Sequence, residues 1–369
     1  MKRPPRPNLT AAVWGITFLM LIGLPLAGAA LNGLPLKAYL EFPPLTRHLQ
    51  HARFNPWFFS LYAMIDLMLI LGMGYMLKVA YLRSRAAPKR RAATFPAWGW
   101  IGLTVMVGGW VLAWTRFEWF APLQGHTFCI PWIGYIVLVN AICRQRSGKS
   151  LLTEATARFL SLFLVSTLFW WFFEYLNRYV QNWYYVGVDE FSPLAYTAFA
   201  SLAFATVLPA VLSTQRLLLT FRIFDPGLSG FRPWPEIKGR GIGAVTLTAA
   251  GLGLALIGIF PDQLFSLVWF APLLILTALQ WWADQPTIFS PLSAGDWRHV
   301  VSAALAALVC GFFWEMWNIG SLARWEYAIP MVDRYHLFAM PLVGYGGYLP
   351  FGLQCLVIGQ MVLGENASG

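Results

Sequence analysis

The sequence predicts an all-α fold of the polytopic membrane class, a transmembrane bundle of about ten helices, and three observations predict it. Charged residues make up 11% of the 369 and hydrophobic ones 58%, whereas a soluble domain carries roughly a quarter charged residues. The apolar residues gather in continuous blocks of about 20, the length that crosses a hydrocarbon core. Lysine and arginine favour alternate connections, as retention of positive charge on the cytoplasmic side requires.

In chain order the predicted spans are 11–31, 57–79, 97–115, 119–143, 159–177, 194–214, 241–260, 264–283, 299–317 and 338–363. A membrane barrel is disfavoured, because it needs short alternating segments, whereas a continuous apolar run satisfies its backbone within one helix. The first span follows Lys2, Arg3 and Arg6 and contains Ala27-Gly28-Ala29, so it imitates a secretory signal. Its apolar run is long for a signal core, and we read it as a retained span. With the N-terminus inside, the inner connections hold 19 Lys and Arg and the outer ones 7. Both termini are therefore expected in the cytoplasm, and the chain in a cell membrane of the bacterial inner-membrane kind. The net charge of +10 follows from that asymmetry and calls for no nucleic-acid partner; the expected partners are membrane lipids and a hydrophobic small molecule. The basic stretch from Arg83 to Arg91 can also meet anionic head groups. Oligomeric state is left open. Cys129, Cys143, Cys310 and Cys355 all fall in predicted spans without metal-type spacing, which reads as packing.

The sequence also repeats itself. Trp119-Phe120-Ala121-Pro122-Leu123 recurs as Trp269-Phe270-Ala271-Pro272-Leu273, 150 residues on. Glu174-x-x-Asn177 then answers Glu315-x-x-Asn318 at 141, Trp183-x-Tyr185 answers Trp325-x-Tyr327 at 142, and Leu208-Pro209 answers Leu349-Pro350 at 141. The predicted organisation is two N-terminal spans with a basic loop (1–96), a four-helix repeat (97–214), a basic linker (215–240) and a second repeat (241–369). An even number of spans per repeat inserts both copies the same way up, with a pseudo-twofold axis along the membrane normal and any shared site between them. Glycines 241, 243, 251, 253 and 258 give the seventh span a small face suited to close packing.

Polar groups inside spans are costly and mark candidate sites. Glu174 and Asn177 share one helix face near the outer end of the fifth span, and Glu315 and Asn318 hold the equivalent place in the ninth. Gln124 and His126 fall at similar depth, with Arg178, Arg324 and His336 just outside and Trp170, Trp171, Trp314, Trp317, Tyr185 and Tyr327 around them. We expect a polar, aromatic-walled pocket between the repeats. Glu174, Glu315, Asn177, Asn318 and His126 are the candidate catalytic groups, and Trp171, Arg178, Tyr185, Trp314, Trp317, Arg324 and Tyr327 would bind substrate. Two carboxyls among aromatics can divide acid and base roles, and ring faces can hold a cation. The plainer alternative pairs Glu174 with Arg178, makes Asn177 and Asn318 helix caps, and assigns the aromatics to an interfacial belt. Asp66, mid-way along the second span, is either a proton-relay candidate or a protonated group bonded to a neighbouring helix.

Other motifs fail on context. Ser147-Gly148-Lys149-Ser150 lacks the first glycine of a phosphate loop, since Cys143 stands there, and Gly239-x-Gly241-x-Gly243 precedes a span rather than opening a nucleotide fold. His48 and His51 share a spacing that suits a metal, but Arg47 and Arg53 beside them favour an interfacial amphipathic helix. No metal or cofactor is expected.

The carboxyl-plus-aromatic segments around 116–143 and 264–283 resemble the integral-membrane lycopene cyclases and related terpene cyclases. That resemblance implies metal-independent protonation of an isoprenoid. The family's Pro-x-Glu-Glu signature is absent, because Leu123, Gln124 and Gly125 follow Pro122, so no catalytic residue carries over. The run Phe312-Phe313-Trp314-Glu315-Met316-Trp317-Asn318 followed by Met340-Pro341-Leu342 is similar to a family of uncharacterised bacterial membrane proteins. The expectations that remain are an acid–base enzyme on a lipid or isoprenoid, a proton- or cation-coupled transporter or lipid-handling protein, and a membrane scaffold subunit.

Overall fold

The computed structural model describes residues 7–44, 46–85 and 93–364; the basic positions Lys2, Arg3, Arg6, Lys89, Arg90 and Arg91 lie outside them. The chain is mostly helical. Its α-helices are α1 Pro7–Leu31, α2 Leu36–Leu40, α3 Pro56–Ser84, α4 Ala97–Trp114, α5 Cys129–Ser147, α6 Leu151–Glu154, α7 Thr156–Val180, α8 Pro193–Ala205, α9 Val207–Leu218, α10 Arg240–Ile257, α11 Pro261–Leu264, α12 Ala271–Trp282, α13 Arg298–Gly320 and α14 Tyr348–Leu363. Among the described residues eight helices are long and apolar enough to cross a membrane, or ten if each of two bent pairs counts as one span.

The two bent pairs fall where the fourth and eighth spans were expected. A 3₁₀ segment, Glu118–His126, meets α5 at 73°, and Pro261–Trp269 meets α12 at 57°. The repeated five residues are not placed alike: 119–123 lie wholly in the 3₁₀ segment, while 269–273 straddle the second bend, with Pro272 in the first turn of α12. A proline there sacrifices no helical hydrogen bond.

Within the bundle, α4 packs on α5 and α10 on α12; α7 packs on α9, and α13 on α14. Between these groups, α9 lies against α13 and α14 against α7. Glycine makes the close approaches possible. A Cβ at Gly258 would stand 2.4 Å from the Ala29 nitrogen on α1, and one at Gly243 would stand 2.8 Å from the Ala278 oxygen on α12, whereas Gly241 faces open space. The small face of α10 is thus a contact with two neighbours.

Two segments depart from expectation. The chain through His48 and His51 is extended rather than an amphipathic helix, because its polar groups are claimed from other elements. His51 Nδ1 lies 2.7 Å from Asp262 Oδ1, the Ala52 N–H donates to Asp262 Oδ2 and the Arg47 N–H donates to Gln181 Oε1. Residues 338–341 are not the start of the last span: β3 His336–Leu337 and β4 Met340–Pro341 form a tight hairpin, followed by a 3₁₀ turn, Leu342–Gly347, that leads into α14. The 215–240 segment, read as a basic linker, is anchored to the bundle, with Phe224 and Leu228 buried against Ala80 of α3 and Asp225 paired to Arg298 at 2.7 Å.

The remaining sheet is small and central. β1 Trp183–Val186 follows α7, β2 Arg324–Tyr327 follows α13, and the two pair antiparallel with Tyr184 opposite Glu326. Tyr184 and Glu326 are themselves 142 residues apart, the offset at which Trp183-x-Tyr185 recurs. The pairing therefore joins corresponding positions of the two segments.

Candidate functional site

Helices α7 and α13 each end in a buried Glu-x-x-Asn, and the strand that follows folds back over it. The asparagine makes that reversal. Asn177 donates from Nδ2 to the Trp183 oxygen (2.8 Å) and accepts at Oδ1 from the Asn182 N–H (2.8 Å). Asn318 donates to the Trp325 oxygen (2.8 Å) and accepts from the Trp325 N–H (2.9 Å). Each carboxamide thus satisfies backbone groups at the start of the following strand, which the reversal of the chain would otherwise leave unpaired. Asn177 and Asn318 hold the backbone and do not face a cavity.

The strands then deliver tyrosines to the carboxyls. Glu174 and Glu315 are both fully buried. Glu174 Oε1 accepts from Tyr185 Oη (2.6 Å), Trp170 Nε1 (3.0 Å) and Trp183 Nε1 (3.1 Å). Glu315 Oε1 accepts from Tyr327 Oη (2.6 Å) and Tyr348 Oη (2.9 Å). Burial, and then the neighbouring carboxyl, push the phenols of Tyr185 and Tyr327 well above the ordinary tyrosine range. They are therefore neutral hydroxyls at physiological pH.

The second donor differs between the two carboxyls by an exchange of space. Position 311, which is 141 beyond Trp170, is glycine, and position 348, which is 141 beyond Val207, is tyrosine. A Cβ on Gly311 would fall 2.4 Å from the Tyr348 ring. The indole that reaches Glu174 from one turn back on its own helix is replaced, at Glu315, by a phenol from α14 lying over a bare glycine.

These groups wall one cavity of about 150 Å³, lined by Trp170, Trp183, Tyr185, Trp269, Trp314, Arg324, Trp325, Tyr327, Met340 and Tyr348 together with Phe128, Phe191, Phe199 and Phe204. Glu174 and Glu315 stand one hydrogen bond behind the wall rather than in it. Of the residues expected to bind substrate, Tyr185, Trp314, Arg324 and Tyr327 line the cavity, and Trp171, Arg178 and Trp317 do not. Trp171 donates to Ser201 Oγ and packs on Phe204, Trp317 packs on Trp132 in the core, and Arg178 donates to the Tyr39 and Glu41 carbonyls instead of pairing with Glu174. His126 is adjacent, its ring stacked 3.7 Å from Phe199 and 5.1 Å from Phe191. Asp66 is elsewhere, its carboxyl against the Gly346 backbone in the 3₁₀ turn before α14. Gln124 donates to the Leu112 oxygen, and His336 pairs with Asp333 near the surface.

Reading the sequence missed Trp269 and Tyr348 as wall residues. Trp269 belonged to the repeated pentapeptide, and Tyr348 precedes the repeated Leu-Pro, so each stood beside a landmark. Among the described residues no three His, Cys, Asp or Glu gather as a metal site. No family model, curated protein or solved structure matches the chain.

Proposed function

We propose that the chain is a membrane-embedded enzyme that moves a proton on a lipid or isoprenoid held in the aromatic cavity between two duplicated halves. The observation that carries the reading is that three of the four phenols lining the cavity hand their hydrogen bonds to two buried carboxyls, Tyr185 to Glu174 and Tyr327 and Tyr348 to Glu315. Such a pair works as a relay: a phenol oxygen takes a proton from the bound molecule while its own proton passes to the carboxylate behind it. Reversal at the other carboxyl returns a proton, so a double bond can shift or a ring close without net loss or gain. Apolar walls suit a hydrocarbon substrate and exclude competing water. Recurrence of Glu-x-x-Asn and the joining of corresponding strands support the duplication.

A transporter reading draws on a different observation, a buried polar seam away from the cavity in which Asn140 donates to Ser213, Tyr135 meets Thr214 and Gln215 meets Ser302. These groups bond to one another, which suits adhesion between helices better than a path.

Lipid mass spectrometry separates the readings. Cells expressing the wild type should show a changed lipid or isoprenoid species that reverts in Glu174→Gln/Glu315→Gln at matched protein level. A wild-type profile identical to that of empty cells would overturn the enzyme reading.

A further inference from the structure

Six hydrogen-bond donors of the cavity wall, on Trp170, Trp183, Trp325, Tyr185, Tyr327 and Tyr348, are spent on neighbouring side chains rather than on the space it encloses. Trp170 and Trp183 donate to Glu174, Trp325 Nε1 donates to Tyr327 Oη at 2.9 Å, and the phenols donate to the carboxyls. What those groups leave toward the cavity is ring faces and phenol lone pairs, both electron-rich. The cationic side chain at the wall, Arg324, is neutralised by Glu326 Oε1 at 2.7 Å.

Behind the wall the ionisable groups are acidic, two buried carboxyls that an entering cation can ionise. Neither Glu174 nor Glu315 has a basic side chain within ion-pair distance among the described residues, and Oε2 of each carboxyl is buried without a hydrogen-bond partner there. Aromatic faces backed by uncompensated acid groups attract positive charge that carries its own apolar skin, because such a cation loses little hydration on entry. A volume of about 150 Å³ is of the order that admits a benzene-sized group.

We propose that this cavity binds an alkyl-substituted organic cation, with its charge over the indole and phenol rings and its counter-charge supplied by ionisation within the Glu174 and Glu315 pair. The inference rests on the reading of this cavity as the ligand site and names the class of centre it accepts. That centre is either a permanent ammonium on a lipid head or the transient cation made when an isoprenoid double bond is protonated. The two share one chemistry.

The test uses the full-length protein in nanodiscs, with choline and its uncharged isostere 3,3-dimethyl-1-butanol as probes and calorimetry as readout. The wild type should bind choline at least tenfold more tightly than the alcohol, and Glu174→Gln/Glu315→Gln should bring the two within about threefold. Equal affinity in the wild type, or selectivity unchanged in the double variant, would overturn the proposal. If the double variant does not fold, Trp269→Leu serves instead: it removes a ring face from the wall and leaves both acids in place, so selectivity for choline should fall at least threefold, and unchanged selectivity would overturn the assignment to the rings. Competition by a choline-headed lipid points to the permanent charge, and competition only by an isoprenyl trialkylammonium points to the transient one. Absent selectivity together with a lipid change in cells sinks this inference and leaves the enzyme standing; selectivity without any lipid change does the reverse.

Discussion

Gly311 and Tyr348 show how little side chain separates the two carboxyl sites. Adding one methyl at Gly311 places it 2.4 Å from the Tyr348 ring, and overpacking of this kind costs about 1–3 kcal/mol. Gly311→Ala should therefore lower the melting temperature in detergent, while Gly241→Ala, with open space around it, should not; equal melting of the two would refute the contact. The tyrosines also set a pH dependence. Tyr185 and Tyr327 have phenols raised by burial above the ordinary value of 10.0, so the folded state keeps a proton that the unfolded chain releases. By linkage their contribution is fully present below about pH 10 and is lost as pH rises further. Stability measured from pH 8 to 11 should fall at the alkaline end, and less steeply in Tyr185→Phe/Tyr327→Phe. At this scale the sequence was informative about which acids and amides matter, through their recurrence and their depth. It left the asparagines open between capping and chemistry, because a spacing of three fits both. Only the recorded bonds to Trp183 and Trp325 assign them to the backbone.

Helical elements were legible because an apolar run of about 20 residues admits few other structures in lipid. Short elements were not. Trp-Tyr-Tyr-Val and Arg-Trp-Glu-Tyr become strands only by meeting each other across 142 residues, and no local pattern encodes such a partner. The extended chain at His51 likewise depends on a partner distant in sequence, Asp262, whereas the hairpin at His336–Pro341 is local and lies inside an otherwise apolar stretch that reads as the start of a span. The strand pairing is directly testable. Opposed residues in an antiparallel pair lie within disulfide reach, so Tyr184→Cys/Glu326→Cys should form an internal crosslink on mild oxidation, seen as a mobility shift on a non-reducing gel. Uncrosslinked protein under conditions that oxidise a control pair would count against the register.

Across the whole molecule, α3 and the 215–240 segment show what charge and hydropathy patterning can and cannot convey. The apolar content of α3 announced a span, but not that most of its length would stay outside the core, with Leu61, Met68 and Leu71 each at least half exposed. The basic content of 215–240 suggested sidedness, but not that Asp225 would dock on Arg298. Sidedness itself remains open to experiment: in a cysteine-free background, Asp189→Cys should react with an impermeant maleimide on intact cells and Glu236→Cys only after permeabilisation, and the opposite result would invert the proposed topology. The strand pair has one further consequence. A segment that pairs with its own counterpart about a centre is self-complementary, which is the geometry of an isologous dimer contact. Two identical chains paired in this way would bring the central position against an identical residue. Pairing within one chain is free of that restriction. Here Tyr184 faces Glu326 with a 2.9 Å hydrogen bond, where identical chains would oppose two tyrosines or two repelling glutamates, and the two carboxyl sites have different neighbours.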